Sequence, residues 1–431
     1  FFNKSSKRKK NIINYKKFLI IENFLYKENF DKKFYEDRYY GKFLSYLTLD
    51  QKKKIFFLFQ NTNISKLSKN LKIIKKYDLN FITISDFLHL SDYFKAILRS
   101  QKNRWSFSKK ITYNKINLFL LFKNLYDTTY NDVNSFHGIL QFLFLKRFKS
   151  EVPEKKIIKV IDWYENQALD KGFNLGLNNF FPSVKTVGYQ PLAVDLNFYS
   201  HLIPTKKELC NNLTPNKITC MGIKSKKYLT EKFKQNKNKY IISPSLRFEE
   251  LFKKVKEKKI RKVKNILIAL PISYHDSEDI IDIFNKFVNR YEFKDLKFFM
   301  NYHPMLNFEK LIKKNISLKK KFILFSGSFS QVHNNFDCVI SNTSSICFEA
   351  IALSTPVIII QNSNGITQNP ISMVKKDIWR SVNNENDLKK AFDVLLYKKD
   401  KKFYYKNSKI IRRDYFSEVS QKNVIKFLGL N

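Results

Sequence analysis

The chain has 431 residues, 43% of them hydrophobic, with 42 Phe, and this excludes an intrinsically disordered polypeptide. Its formal charge of +42 is spread among Asn, Ile, Phe and Tyr along the whole length, as an AT-rich coding bias would produce. It comes without zinc-finger spacing or an RNA-binding signature, so anionic lipid headgroups are a better expected partner than nucleic acid.

The length suits two domains, and no apolar run approaches the roughly eighteen residues that span a bilayer. The chain begins with Phe1 rather than Met, which leaves room for an upstream segment and does not exclude a signal peptide. Cys210, Cys220, Cys338 and Cys347 lack CxxC spacing. Cys338 and Cys347 stand in apolar contexts and read as core residues, and a reducing compartment is the expected home.

From the N-terminus, Lys4–Lys10 reads as a solvated, frayed charge run. Phe18–Ile21 and Phe81–Ser85 read as strands, and Ile116–Leu125 and Ile139–Phe148 as helices. A strand at Ile157–Ile161, the segment DWYENQALDKGFNLGLNNFFP and a strand at Val184–Gly188 form a βα-type unit. A strand pair, Ser200–Ile203 and Ile218–Met221, leads to an expected linker at Lys232–Lys239. A second alternation follows: strand Asn265–Leu270, helix around Ile280–Phe284, strands Leu296–Met300 and Phe322–Phe325. It ends in the strand–helix–strand unit Cys338–Ile360. The expected fold class is α/β: two Rossmann-like domains facing a cleft, over 1–238 and 239–405, with a C-terminal return helix in 406–431.

Chemistry-bearing residues fall at strand ends, where open α/β sheets bind ligands. Thr343, Ser344 and Ser345 follow the strand at Cys338–Ser341 and open a helix, an arrangement suited to phosphate. His303 follows the Leu296–Met300 strand and is a candidate proton donor. Glu349, one turn past Ser345, is placed to accept from a ribose. Trp163-Tyr164-Glu165-Asn166-Gln167 groups aromatic and amide side chains at a strand end. Glu165 is the leading general base there and Asp170 its rival, with Trp163, Asn166 and Gln190 on the acceptor side. Arg247 is a candidate bidentate anion ligand, and Ser273 borders the donor site. GxGxxG, Walker and HExxH sequences are absent, and no metal or cofactor is expected.

Tyr302-His303-Pro304 with Ser344-Ser345 resembles the HP and SS motifs of bacterial sialyltransferases and capsule Kdo transferases, which are GT-B glycosyltransferases of surface-carbohydrate synthesis. The segment WYENQALDKGFNLGLNNFFPSVKTVGYQ, with SPSLRF downstream, resembles a less characterised group of surface-carbohydrate proteins. Together the similarities cover about Lys156–Pro370. The resemblance implies a metal-independent glycosyltransferase whose His303, Ser344 and Ser345 contact the phosphate of a CMP-activated sugar, Kdo or another nonulosonate. The acceptor would be a capsule or lipopolysaccharide glycan or glycolipid, and the site of action cytoplasmic, on the inner face of the plasma membrane. Ser354 stands where that turn usually carries glycine, and the acidic base motif of sialyltransferases is missing. A polyol-phosphate transferase, a UDP-sugar epimerase and a non-catalytic basic protein binding nucleic acid or glycan remain the alternatives.

Overall fold

A computed structural model describes residues 2–25, 29, 35–60, 72, 74, 77–102, 111–130, 133–191, 202–253 and 262–430. Its strands are β1 (Phe18–Phe24), β2 (Ile55–Gln60), β3 (Phe81–Ile82), the hairpin β4–β5 (Thr112–Tyr113, Ile116–Asn117), β6 (Ile157–Trp163), β7 (Thr186–Tyr189), β8 (Lys217–Cys220) and β9 (Tyr240–Ile242). The second half adds β10 (Lys264–Leu270), β11 (Leu296–Tyr302), β12 (Ile323–Leu324), β13 (Cys338–Ser341), β14 (Val357–Ile360) and β15 (Trp379–Val382). The helices that matter below are α1 (Phe2–Asn14), α2 (Leu90–Lys102), α3 (Asn134–Glu151), α4 (Ala168–Phe180), α5 (Tyr274–Arg290), α6 (Ile346–Ala352), α7 (Lys401–Tyr415) and α8 (Gln421–Leu428).

Both large sheets are parallel. The first runs β3-β2-β1-β6-β7-β8-β9 and the second β12-β11-β10-β13-β14-β15. Each therefore reverses direction beside its first strand, between β1 and β6 and between β10 and β13. That switch point leaves a crevice at the carboxyl ends of the strands. Strand alternation covers both faces of the first sheet: Leu19 and Ile21 pack with α8, whereas Phe18 and Ile20 pack with α3 and α4.

The two halves are joined twice. The chain crosses after β9 and returns before α8, and at the crossing Ser245 N–H donates to the Ser417 carbonyl (3.0 Å) while Ser417 N–H donates to Ser245 Oγ (3.0 Å). α8 then buries Val424, Phe427 and Leu428 in the core of the first half.

Several expectations are corrected. β9 pairs with β8, so the first half runs past residue 238 and Lys232–Lys239 is a loop inside it. Only α8 returns, because Tyr404, Ile411 and Phe416 pack in the second half. Ile218–Cys220 pairs with β7 and β9 rather than with Ser200–Ile203; Leu202 is helical, and residues 200 and 201 lie outside the described residues. Lys4–Lys10 belongs to α1, held by ion pairs from Arg8 to Asp86 and from Lys9 to Glu151. The helix expected at Ile116 begins at Phe119, after β5. Phe81–Ser85 is a strand only to Ile82, and Ile55–Gln60 forms β2 although its unbroken apolar run shows no period. Cys338 and Cys347 are fully buried, as expected.

Three carboxyl groups lie beneath the crevice: Glu22 and Asp162 are each 1% exposed and Asp170 is 3% exposed. Burial pushes Asp162 up to about 7, against the opposing hydrogen bond from Asn174 Nδ2 to its Oδ2 (2.8 Å). The folded chain thus holds this proton up to about pH 7, while the unfolded chain releases it near 3.8. The folded state binds the extra proton, so its stabilising effect is complete below the lower value and is lost as pH rises through the upper. Asp162→Asn is accordingly expected to stabilise the protein by about 2–4 kcal/mol at about pH 8 and to be nearly neutral at about pH 4. Urea unfolding at the two pH values checks this, and an equal difference at both would refute it.

Candidate active site in the crevice

The first half contributes a loop that composition conceals. The Asp37 carboxylate, 2% exposed, accepts from Asn23 Nδ2 (2.5 Å), Asn29 Nδ2 (2.6 Å), Tyr35 OH (3.0 Å) and the N–H groups of Tyr39 and Tyr40 (2.7 Å each). Burial raises its pKa and these donors oppose that, so the loop is pinned at its centre. Gly41, at φ 57°, closes the loop against Leu246: a Cβ there would lie 2.3 Å from the Leu246 carbonyl oxygen. The contact brings Arg38 and Tyr39 up to Arg247, which follows Leu246 at the domain crossing. Tyr189 OH holds the same segment by accepting from Leu246 N–H (3.1 Å).

The guanidinium carbons of Arg38 and Arg247 lie 5.5 and 5.6 Å from the Tyr39 ring centre. That ring meets Trp163 edge-on. Across the crevice, Arg247 Nη2 donates to Ser345 Oγ (3.3 Å). Glu165 and Glu349 both feel the Arg247 charge: burial raises each carboxyl, and the guanidinium partly reverses it. Gln167 Nε2 also donates to Glu165 Oε2 (2.8 Å).

His303 completes the constellation. Its Nε2 lies 3.0 Å from Arg38 Nη2, and the Met305 N–H donates to its Nδ1 (3.1 Å). The backbone N–H and the guanidinium are both donors only, and a neutral imidazole has a single accepting nitrogen. Donors therefore face both ring nitrogens, and whichever nitrogen carries the ring proton opposes one of them. Burial first, then Arg38 and Arg247, lower the His303 pKa, which keeps the ring neutral at pH 7. An anionic oxygen between these groups would accept from both and relieve the opposition.

Other expected site residues have structural partners. Asp170 Oδ2 accepts from the N–H groups of Glu165 (2.8 Å) and Gln167 (2.9 Å) as part of the α4 capping box, so it supports the Glu165 loop rather than competing with it. Ser273 caps α5 by accepting from Asp276 N–H (3.3 Å), whereas Ser277 is buried and donates to the Pro271 carbonyl. Thr343 donates to Asp276 Oδ2 (3.1 Å), and Ser344 Oγ accepts from Ile346 N–H (3.4 Å). Of the three hydroxyls, Ser345 is the one joined to Arg247. The helix it opens, α6, has only 7 residues, which limits its dipole.

On the acceptor side, Trp163 is 3% exposed and forms a wall under Tyr39. Asn166 takes φ 57° in the turn, and its Oδ1 accepts from Tyr164 OH (3.1 Å). Gln190 directly follows β7, with Nε2 buried and without a hydrogen-bond partner among the described residues. The turn after α6 does place Ser354 at φ 64°, with its hydroxyl 2.9 Å from that of Ser408. Arg38, Tyr39, Asp37 and Tyr189 were not legible as site residues. Asp37-Arg38-Tyr39-Tyr40-Gly41 carries a turn signal, but nothing local separates Arg38 from the rest of the 80 Lys and Arg residues. Among the described residues no group of three or more His, Cys, Asp and Glu is arranged to hold a metal.

No protein-family model matches the chain, and no curated protein matches its sequence. Solved structures do match over nearly its whole length. UDP-GlcNAc 2-epimerase from Neisseria meningitidis bound to UDP-GlcNAc aligns with TM-score 0.54 at 14% identity, covering 96% of this chain and 100% of that one. The S. aureus MnaA–UDP complex aligns with TM-score 0.51 at 12% identity, covering 96% and 98%. The N-terminal domain of Candida albicans trehalose-6-phosphate phosphatase gives TM-score 0.51 at 12% identity, covering 96% of each chain. At such identities the likeness is one of fold alone, and that fold is GT-B: two Rossmann-like halves facing a crevice, with the last helix packed back on the first.

Proposed function

We propose that the chain is a glycosyltransferase that moves a sugar from a nucleotide donor onto a surface glycan or glycolipid, with the donor phosphate held between Arg38, Arg247, His303 and Ser345. The observation that carries this reading is the convergence of donor groups across the crevice, Arg38 against His303 and Arg247 against Ser345. In the proposed reaction the bond between the anomeric carbon and the phosphate oxygen breaks, and its electron pair passes to that oxygen. The two guanidiniums and the His303 ring N–H stabilise the charge that develops. Glu165, its pKa raised by burial, takes the proton of the acceptor hydroxyl as the new bond forms. Glu349 accepts from the ribose, and the buried Gln190 amide offers a donor to the acceptor glycan.

The favoured donor is CMP-Kdo or another CMP-nonulosonate, on the resemblance of Tyr302-His303-Pro304 and Ser344-Ser345 to the HP and SS motifs of enzymes that use such donors. Transfer is proposed to be metal-independent, with the arginines as the counter-charge. A second reading, epimerisation of a UDP-sugar, is supported by the ligands bound in two structures of the same fold, UDP and UDP-GlcNAc. There the two arginines would meet a diphosphate.

A thermal-shift titration with CMP, CDP and UDP, with and without EDTA, separates the readings. Stabilisation by CMP that is insensitive to EDTA is expected. A response to UDP alone would favour the epimerase, and no response would remove the nucleotide site. Glu165→Gln is expected to lower turnover by at least about 100-fold while nucleotide stabilisation persists. Undiminished turnover would place the base elsewhere.

A further inference from the structure

α2 carries its apolar residues on two faces, and one of them points to water. Tyr93 and Ala96 pack inward against α3, in a cluster with Leu140 and Leu143. Asp92, 2% exposed, is paired with Arg147 of α3 through two bonds of 3.0 and 3.1 Å. The helix is therefore anchored, and its outer face is not a product of loose packing. On that outer face Leu90, Phe94, Ile97 and Leu98 recur at i, i+4, i+7 and i+8, which makes one stripe. They are 74%, 67%, 42% and 60% exposed. Such a contiguous stripe is unusual on a surface that water alone would cover.

Charge decides what the stripe fits. Lys95 is exposed beside Leu98 at the edge of the stripe, and Arg99 is exposed on the flank beyond it. The one acid of α2, Asp92, is turned inward, and Asp86, just before the helix, is paired with Arg8. A second copy of a chain with net charge +42 would be repelled at short range. An apolar face edged by cations and free of acids matches the boundary between acyl chains and anionic headgroups.

We propose that the outer face of α2 docks the protein on an anionic membrane surface, with Leu90, Phe94, Ile97 and Leu98 entering the interface and Lys95 and Arg99 meeting lipid phosphates. The docking is independent of the reaction assigned to the crevice. Scattered positive charge alone would also attract such a surface, so the test must separate the stripe from the net charge.

Flotation with phosphatidylcholine vesicles, with and without phosphatidylglycerol, provides that separation. The full chain is expected to float only with phosphatidylglycerol present. Phe94→Ser with Leu98→Ser should weaken partitioning at least about tenfold without lowering the melting temperature, since both side chains are exposed. Leu49→Ser, at a leucine 73% exposed outside the stripe, should bind as the parent does. No flotation of the parent, or equal flotation of the double variant, overturns the proposal. So does a dimer in light scattering that the double variant abolishes, which would assign the stripe to a second copy.

Discussion

Arg247→Met is expected to weaken nucleotide binding by about 100-fold or more, because a guanidinium engaged in charge-assisted bonds to phosphate contributes roughly 1.5–3 kcal/mol per bond. Arg247→Lys keeps the charge and loses the planar fork, so an intermediate loss is expected. The substitution reaches further than the ligand. Arg247 is the cation whose charge lowers both Glu165 and Glu349. Without it both carboxyls rise further above their unfolded values. A group raised in the folded state stabilises at low pH and loses that effect as pH rises through the folded value. The variant should therefore be close to the parent at low pH and progressively less stable above it. Glu349→Gln added to Arg247→Met should recover part of the loss. Isothermal titration with nucleotide and unfolding curves across pH check both statements. Unchanged affinity in a folded Arg247→Met protein would exclude the crevice as the phosphate site.

Gly172→Ala is expected to be the most damaging methyl addition in the first half. α3 and α4 cross at a glycine pair, and a Cβ on Gly172 would lie 1.9 Å from the Gly138 carbonyl oxygen and 2.7 Å from the Gly138 Cα. The obstacle is backbone on both sides, so no rotamer change relieves it. Alanine favours a helix by about 1 kcal/mol over glycine, but separating two packed helices should cost about 3–5 kcal/mol, and the loss wins. The consequence extends to the site. α4 begins at the capping box in which Asp170 holds the Glu165 N–H, so a shift of α4 moves the proposed base. Denaturant unfolding should show the loss, and any folded fraction should have reduced turnover. Gly365→Ala is the control, since a Cβ there meets nothing within 4 Å. Equal stability of the two variants would show that the helices separate freely.

Much of the architecture was legible because strand and helix periods are local properties. Ile157–Ile161, Asn265–Leu270, Leu296–Met300 and Cys338–Ile360 announce a parallel sheet by alternating apolar runs with helical spacing, and the strand ends among them place Glu165, His303 and Ser345 at the crevice. Local pattern misled where one signal served two purposes. Ser273, Ser344 and Asp170 have the residue types of a binding site, and those types are also the ones that cap helices. β2 was missed because a strand buried on both faces shows no alternation.

The sequence by itself determined the two α/β halves, the strand ends at which chemistry is possible, and the residue types present at those ends. The tertiary structure alone decided which of them meet. Arg38 and His303 are 265 residues apart and Arg247 and Ser345 are 98 apart, and no period in the chain links such positions. They converge because Asp37 pins one loop, Gly41 admits the Leu246 backbone beside it, and the second half presents its strand ends opposite. Charge at a single position has no range in sequence but acts over several ångströms in space, so only the docking of the two halves makes a site of it.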